Sequence, residues 1–149
     1  NIDWAGFNMP SKILKPFYNG RFNPLSEDEK AILSLFKNKK RKKFYIVAAY
    51  KNLEGVLRHE VAHGLFYTNK TYKKKVIKIL KKCDESTRKK INRFLSDRGY
   101  HQDVFFDETH AYLMTDIARL KKDKIYTKNL IKLSKELNTQ FEEYCKKLV

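Results

Sequence analysis

Hydrophobic residues recur with helical spacing over most of this chain, and a strand-like run stands out in one place. That run is "FYIVAAY" at 44–50. It is β-branched and aromatic, too short for a helix and bounded by charge, which predicts a strand. Ahead of it, "SEDEKAILSLFKN" sets Ser26 and Glu29 as a capping box, with Ile32, Leu33, Leu35 and Phe36 as the buried stripe of a helix. After it, Asn52 caps a helix through "LEGVLRHEVAHGLFYT", with apolar positions at Leu53, Val56, Leu57, Val61, Leu65 and Phe66. Thr71 is expected to cap "YKKKVIKILKKC", and "ESTRKKINRFLSDRG" forms the next helix, ending at Gly99. A further helix begins between Asp103 and Asp107, and a final amphipathic helix covers 127–147. The first 25 residues, rich in Pro, Gly, Asn and aromatics, read as irregular. A tight turn is expected there at Asn19-Gly20, with Trp4, Phe7, Phe17, Tyr18 and Phe22 packing onto the core. The expected fold class is α+β and mostly helical, a single domain over 1–149 with a small sheet or hairpin near its N-terminal side.

Composition narrows this picture. At 149 residues, with 42% apolar and 13% aromatic, the chain can build one core and has no disordered character. No apolar run reaches the roughly 18–20 residues of a membrane span, and the given start shows no secretory h-region. It starts at Asn1 rather than Met, the pattern of a processed or trimmed piece. Cys83 and Cys145 are too few and too far apart for a metal cluster or disulfide framework; they read as reduced thiols, with one bridge between them left open. The net charge of +16 would attract nucleic acid, anionic membranes or acidic proteins. Lys far outnumbers Arg, however, which suits solvated helix faces and a solvated basic loop at 37–43 better than bidentate nucleic-acid readout.

Chemistry concentrates at "LRHEVAHGLFY", residues 57–67. Positions four apart on a helix lie about 40° apart around its axis and one turn along. His59 and His63 thus point the same way and can reach one ion at ~2.0–2.1 Å. Glu60 sits about 100° round from His59, off-line as a ligand but placed to touch a water on that ion. Val61, Ala62, Gly64 and Leu65 surround the polar groups with apolar ones, so the histidines and carboxylate need a metal or hydrogen bonds to offset burial. This is the pattern of metal-assisted hydrolysis.

His59-Glu60-Val61-Ala62-His63 resembles the HExxH active-site helix of the zincin metallopeptidases. The resemblance covers that helix, the strand before it and one later helix. It implies a Zn2+ cofactor and peptide hydrolysis by a zinc-bound water, with Glu60 as general base. It also implies that the preceding strand binds substrate in extended form, through Tyr45, Val47 and Ala49. A metzincin would carry Gly and His where this chain has Phe66 and Asn69, so that branch is excluded. The third ligand must then come from later in the chain, where His101, Asp103, Asp107, Glu108, His110 and Asp116 cluster. Glu108 is the choice, because Ala111 lets two helices approach closely and "ETHAYLM" is similar to the glutamate helix of gluzincins. Tyr112 stands where the thermolysin-type pattern has an Asp, which leaves Asp107 and Asp116 as candidates to orient an imidazole. Tyr112, His101 or His110 are candidate donors to an oxyanion, Tyr112 first.

The expected activity is that of a zinc metallopeptidase, an endopeptidase rather than an exopeptidase, acting on protein or peptide substrates that the positive field biases toward acidic ones. Two alternatives remain: a catalytically silent or self-blocked zinc-binding module, and a basic nucleic-acid-binding helical protein. Nucleic acid is not expected as a partner. The expected compartment is the cytoplasm, although an effector exported by a non-classical route would have the same sequence features.

Overall fold

The computed structural model describes residues 6–39, 43–49, 54–125 and 127–147. Trp4, Tyr50, Asn52 and Leu53, named above, lie outside these residues. Two strands, β1 (Gly6–Pro10) and β2 (Tyr45–Ala49), form an antiparallel sheet in which Gly6 pairs with Ala49, Asn8 with Val47 and Pro10 with Tyr45. Helices make up the rest: α1 (Lys15–Tyr18), α2 (Glu27–Leu35), α3 (Glu54–Thr68), α4 (Lys70–Leu80), α5 (Glu85–Ser96), α6 (Phe105–Thr115), α7 (Ile117–Lys122) and α8 (Lys128–Cys145). This is the mostly helical α+β class that the periodicity predicts.

Local chemistry sets most helix starts. The Ser26–Glu29 capping box forms on α2. Asp84 accepts from the Thr87 amide at α5, and Thr127 from the Leu130 amide at α8. Each satisfies an amide that the first helical turn would leave unpaired. At α4 the cap is Asn69 rather than Thr71: its side chain accepts from the amides of Thr71 and Tyr72 at 3.1 and 3.0 Å. Asn69 comes two residues earlier and can serve both amides at once, which extends the helix back to Lys70.

Packing of α3 positions the rest. One side of α3 carries the sheet and the other meets α6, which in turn rests on α8. Ala62, Leu65 and Phe66 of α3 join Tyr72, Val76, Leu95, Ala111, Leu113, Leu130 and Leu137 in one continuous core. Gly6 lets β1 lie directly on α3, since a Cβ there would stand 2.6 Å from Val56 Cγ1 and 3.0 Å from the Ala48 carbonyl. Cys83 and Cys145 are free thiols, as expected of two distant cysteines.

Several expectations fail toward the N-terminus. Residues 6–10 form a strand, not irregular chain, because they find β2 as a partner far along the sequence. Only Leu33 of the α2 stripe is buried; Ile32 is 45% and Leu35 73% exposed, and Phe36 stacks on Phe44. α2 packs chiefly on chain beside it, the Tyr18 hydroxyl donating to the Leu33 carbonyl, so its apolar face is only partly covered. Phe7 and Phe22 are exposed, Leu57 is exposed on α3, and Phe17 and Tyr18 are half-buried. Gly20, at φ +74°, forms the expected turn. Lys43 at the end of the basic loop is tethered, its ammonium donating to the Tyr67 carbonyl and lying over that ring. Among the described residues no helix is long and apolar enough to cross a membrane.

Candidate metal centre

α3 and α6 carry the polar cluster. Each places it at the contact because small residues let the helices close: Ala62 and Ala111 are both fully buried. His59, His63 and Glu108 converge there, each offering one ligand atom within 4.8 Å of the others. The His59 and His63 rings lie 4.9 Å apart, and Glu108 Oε1 is 3.8 Å from His63 Nε2.

Hydrogen bonding and charge leave the same ring nitrogen open on each histidine. The Thr115 hydroxyl donates its single proton to the Ala111 carbonyl at 2.8 Å. Its oxygen must therefore accept from His59 Nδ1, 2.9 Å away. His59 Nε2 then keeps its lone pair. His63 Nδ1 lies 2.9 Å from Asp107 Oδ1, an ion-pair contact without hydrogen-bond alignment; the carboxylate's charge favours the ring proton on that nitrogen, with Nε2 facing Glu108. Thr115 and Asp107 thus orient the two imidazoles as partners of metal-bound histidines do. Replacing Asp107 by Asn or Thr115 by Val should weaken metal affinity about 10–100-fold each. Titration of the purified variants against a competing chelator measures the change, and unchanged affinity in both would remove these orienting roles.

Charge at the site is unbalanced. Burial first, then the charges of His63 and His110, pushes His59 down to about 4 and keeps it neutral. Burial also pulls His63 down, but the Asp107, Glu108 and Glu60 carboxylates outweigh it and its pKa rises. Asp107 moves down, because His110 and His63 overcome the cost of its burial. Burial pushes Glu108 up to about 7; His63 opposes this, while Asp107 and Glu60 add to it. Glu108 Oε2 is buried with no hydrogen-bond partner. Orphaned oxygens on Glu108 and Asp107, beside two imidazoles and Glu60, form a donor set that a divalent cation would satisfy, displacing any proton that the acids hold on His63.

The other predicted residues fall in and around this cluster. Glu60 is buried and accepts a short hydrogen bond from Asn8 Nδ2 of β1. The Tyr45 hydroxyl in turn donates to Asn8 Oδ1, and burial together with the nearby acids raises the Tyr45 pKa. Val47 and Ala49 lie opposite Asn8 and Gly6, so β1 already occupies one edge of β2. Tyr112 is buried with its ring edge-on to His59 at 5.5 Å. His110 is fully buried behind Asp107, its Nε2 2.7 Å from the Tyr72 hydroxyl, and stands outside the converging trio. His101 is exposed and pairs with Asp103, while Asp116 caps α7 through the Arg119 amide. Asn8, Tyr100 and Thr115 are the participants that sequence reasoning missed. The Tyr100 phenol faces Glu108 and favours its charged form. These residue types carry no motif, and only the packing of distant segments brings them here.

Compared with known protein families, with curated proteins and with solved structures, the chain finds no match.

Proposed function

We propose that this chain is a zinc-dependent metallopeptidase of the zincin type, with His59, His63 and Glu108 as the metal ligands. The observation that carries the reading is the convergence of His59, hydrogen-bonded at Nδ1 to Thr115, His63, paired at Nδ1 with the Asp107 carboxylate, and an unpartnered Glu108 oxygen. A zinc ion held there would act as a Lewis acid, acidifying water and polarising a carbonyl. The protein side of the chemistry belongs to Glu60. Its carboxylate takes the proton of the attacking water and returns it to the leaving amine. Asn8 grips one of its oxygens and fixes the carboxylate's direction, and Tyr45 fixes Asn8. Tyr112, packed against His59, holds that ring in place. An extended peptide adding to the small sheet would run over α3, and the charge of +16 favours acidic sequences. The decisive assay is cleavage of casein and of quenched peptides by zinc-loaded protein. Activity should vanish with chelator and return with zinc; zinc-loaded protein that cleaves nothing would reject the reading.

The Asn8 contact also favours a second reading, a self-blocked zinc module in which β1 covers the predicted substrate strand and restrains Glu60. Asn8→Ala separates the two. If Asn8 positions the base, kcat should fall about tenfold with KM little changed, the effect of losing one hydrogen bond to a charged group. A rise in kcat would instead identify β1 as a block.

A further inference from the structure

The opposite flank of α6 borders a second hollow. While Glu108 and Thr115 face α3, Leu113 and Thr109 turn toward α5 and α8 and help line a cavity of about 350 Å³. Its inner wall is Ile91, Leu113, Leu130 and Leu133, all essentially inaccessible to solvent. Its outer rim carries Arg88 and the exposed ring of Phe106. The hollow opens to solvent at its rim, and its size is in the range of small-ligand sites. Its depth is apolar, whereas Asn92, Gln102 and Thr109 add polar groups to the lining.

Arg88 defines the chemistry of the mouth. Arg58, Arg93, Arg98 and Arg119 each hold a carboxylate within 4.0 Å, while Arg21, exposed on the turn after α1, holds none among the described residues and does not line this hollow. Among the described residues Arg88 holds none, although it lines the hollow. Its charge is felt at the Cys83 thiol, another lining residue, where it opposes the upward push of burial and Asp84. A guanidinium fork without an acid, at the mouth of an apolar recess, matches a carboxylate with an apolar body behind it.

We infer that this recess binds a small amphipathic monocarboxylate, its medium-length acyl chain or single ring among Ile91, Leu113, Leu130 and Leu133 and its head on Arg88. The site is independent of the metal centre and of any hydrolytic activity.

Decanoate, titrated into the full chain by calorimetry at physiological salt, is the test, with decanol and acetate as partial ligands. Saturable one-to-one binding of decanoate is expected, with acetate silent. Arg88→Gln should weaken decanoate about tenfold while sparing decanol, as expected for a hydrogen bond to a charged head group. Thr109→Phe, which fills the recess from its half-buried rim, should remove both, with circular dichroism confirming that the variant folds. Lys78→Gln on a separate surface should change nothing. No binding of decanoate would overturn the proposal outright, and non-saturable binding, or binding reduced as much by Lys78→Gln as by Arg88→Gln, would overturn it in favour of adsorption to lysine-rich surface. If Thr109→Phe fails to fold, the Arg88→Gln contrast between decanoate and decanol decides alone.

Discussion

Glu60→Gln is expected to cut kcat about 10²–10⁴-fold, to the background of the assay, while zinc content stays at a full molar equivalent. The carboxamide has the shape of the carboxylate, and its oxygen can still accept from Asn8, so the contact that orients the side chain survives. What it cannot do is take a proton. His59, His63 and Glu108 are untouched, and the metal they hold should be as well. Kinetics on a quenched peptide and elemental analysis of the same preparation read the two quantities together. Full activity in Glu60→Gln would take the general-base role away from Glu60. Loss of zinc along with activity would place Glu60 among the ligands instead.

Glu108→Ala should have the opposite signature on metal. Saturating zinc should raise the melting temperature of the wild-type chain by roughly 5–10 °C, since binding at about 100 times Kd adds about 2.7 kcal/mol and a domain of this size gains a few degrees per kcal/mol. In the variant that rise should disappear, and zinc should fall well below a molar equivalent after desalting. Without metal, the variant should melt no lower than the wild type. The side chain it removes carries a buried oxygen with no partner, whose loss offsets the small void left behind. Differential scanning calorimetry with and without zinc tests both halves. A variant that keeps its zinc and its thermal shift would show that the third ligand is not Glu108.

Both experiments act on a site that was only partly readable in the chain. The stretch from His59 to His63 announces itself because helical geometry is local: two imidazoles four residues apart share a face whatever surrounds them. The carboxylate was harder. Six acids and histidines lie between His101 and Asp116; Ala111 and the gluzincin resemblance single out Glu108, but spacing within α6 says nothing of its distance to a helix about 50 residues away. Packing ranks them by proximity: Glu108 stands with the histidines, Asp107 on the far nitrogen of His63, and His110 one layer deeper on Tyr72. Thr115 and Asn8 were invisible for the same reason, as a threonine at a helix end and an asparagine in a turn-rich leader have no pattern of their own.

The order and kind of most elements after residue 25 were written in the sequence alone. Periodicity and caps act over a few residues, and the helical α+β class follows from them. So does the pairing of His59 with His63 and the nearness of Glu60. Tertiary structure alone decided that residues 6–10 become a strand, that most of the α2 stripe stays exposed, and that Glu108 meets the histidines. These outcomes depend on which faces of distant segments exclude water together. That competition among whole surfaces has no counterpart in the spacing of neighbouring residues.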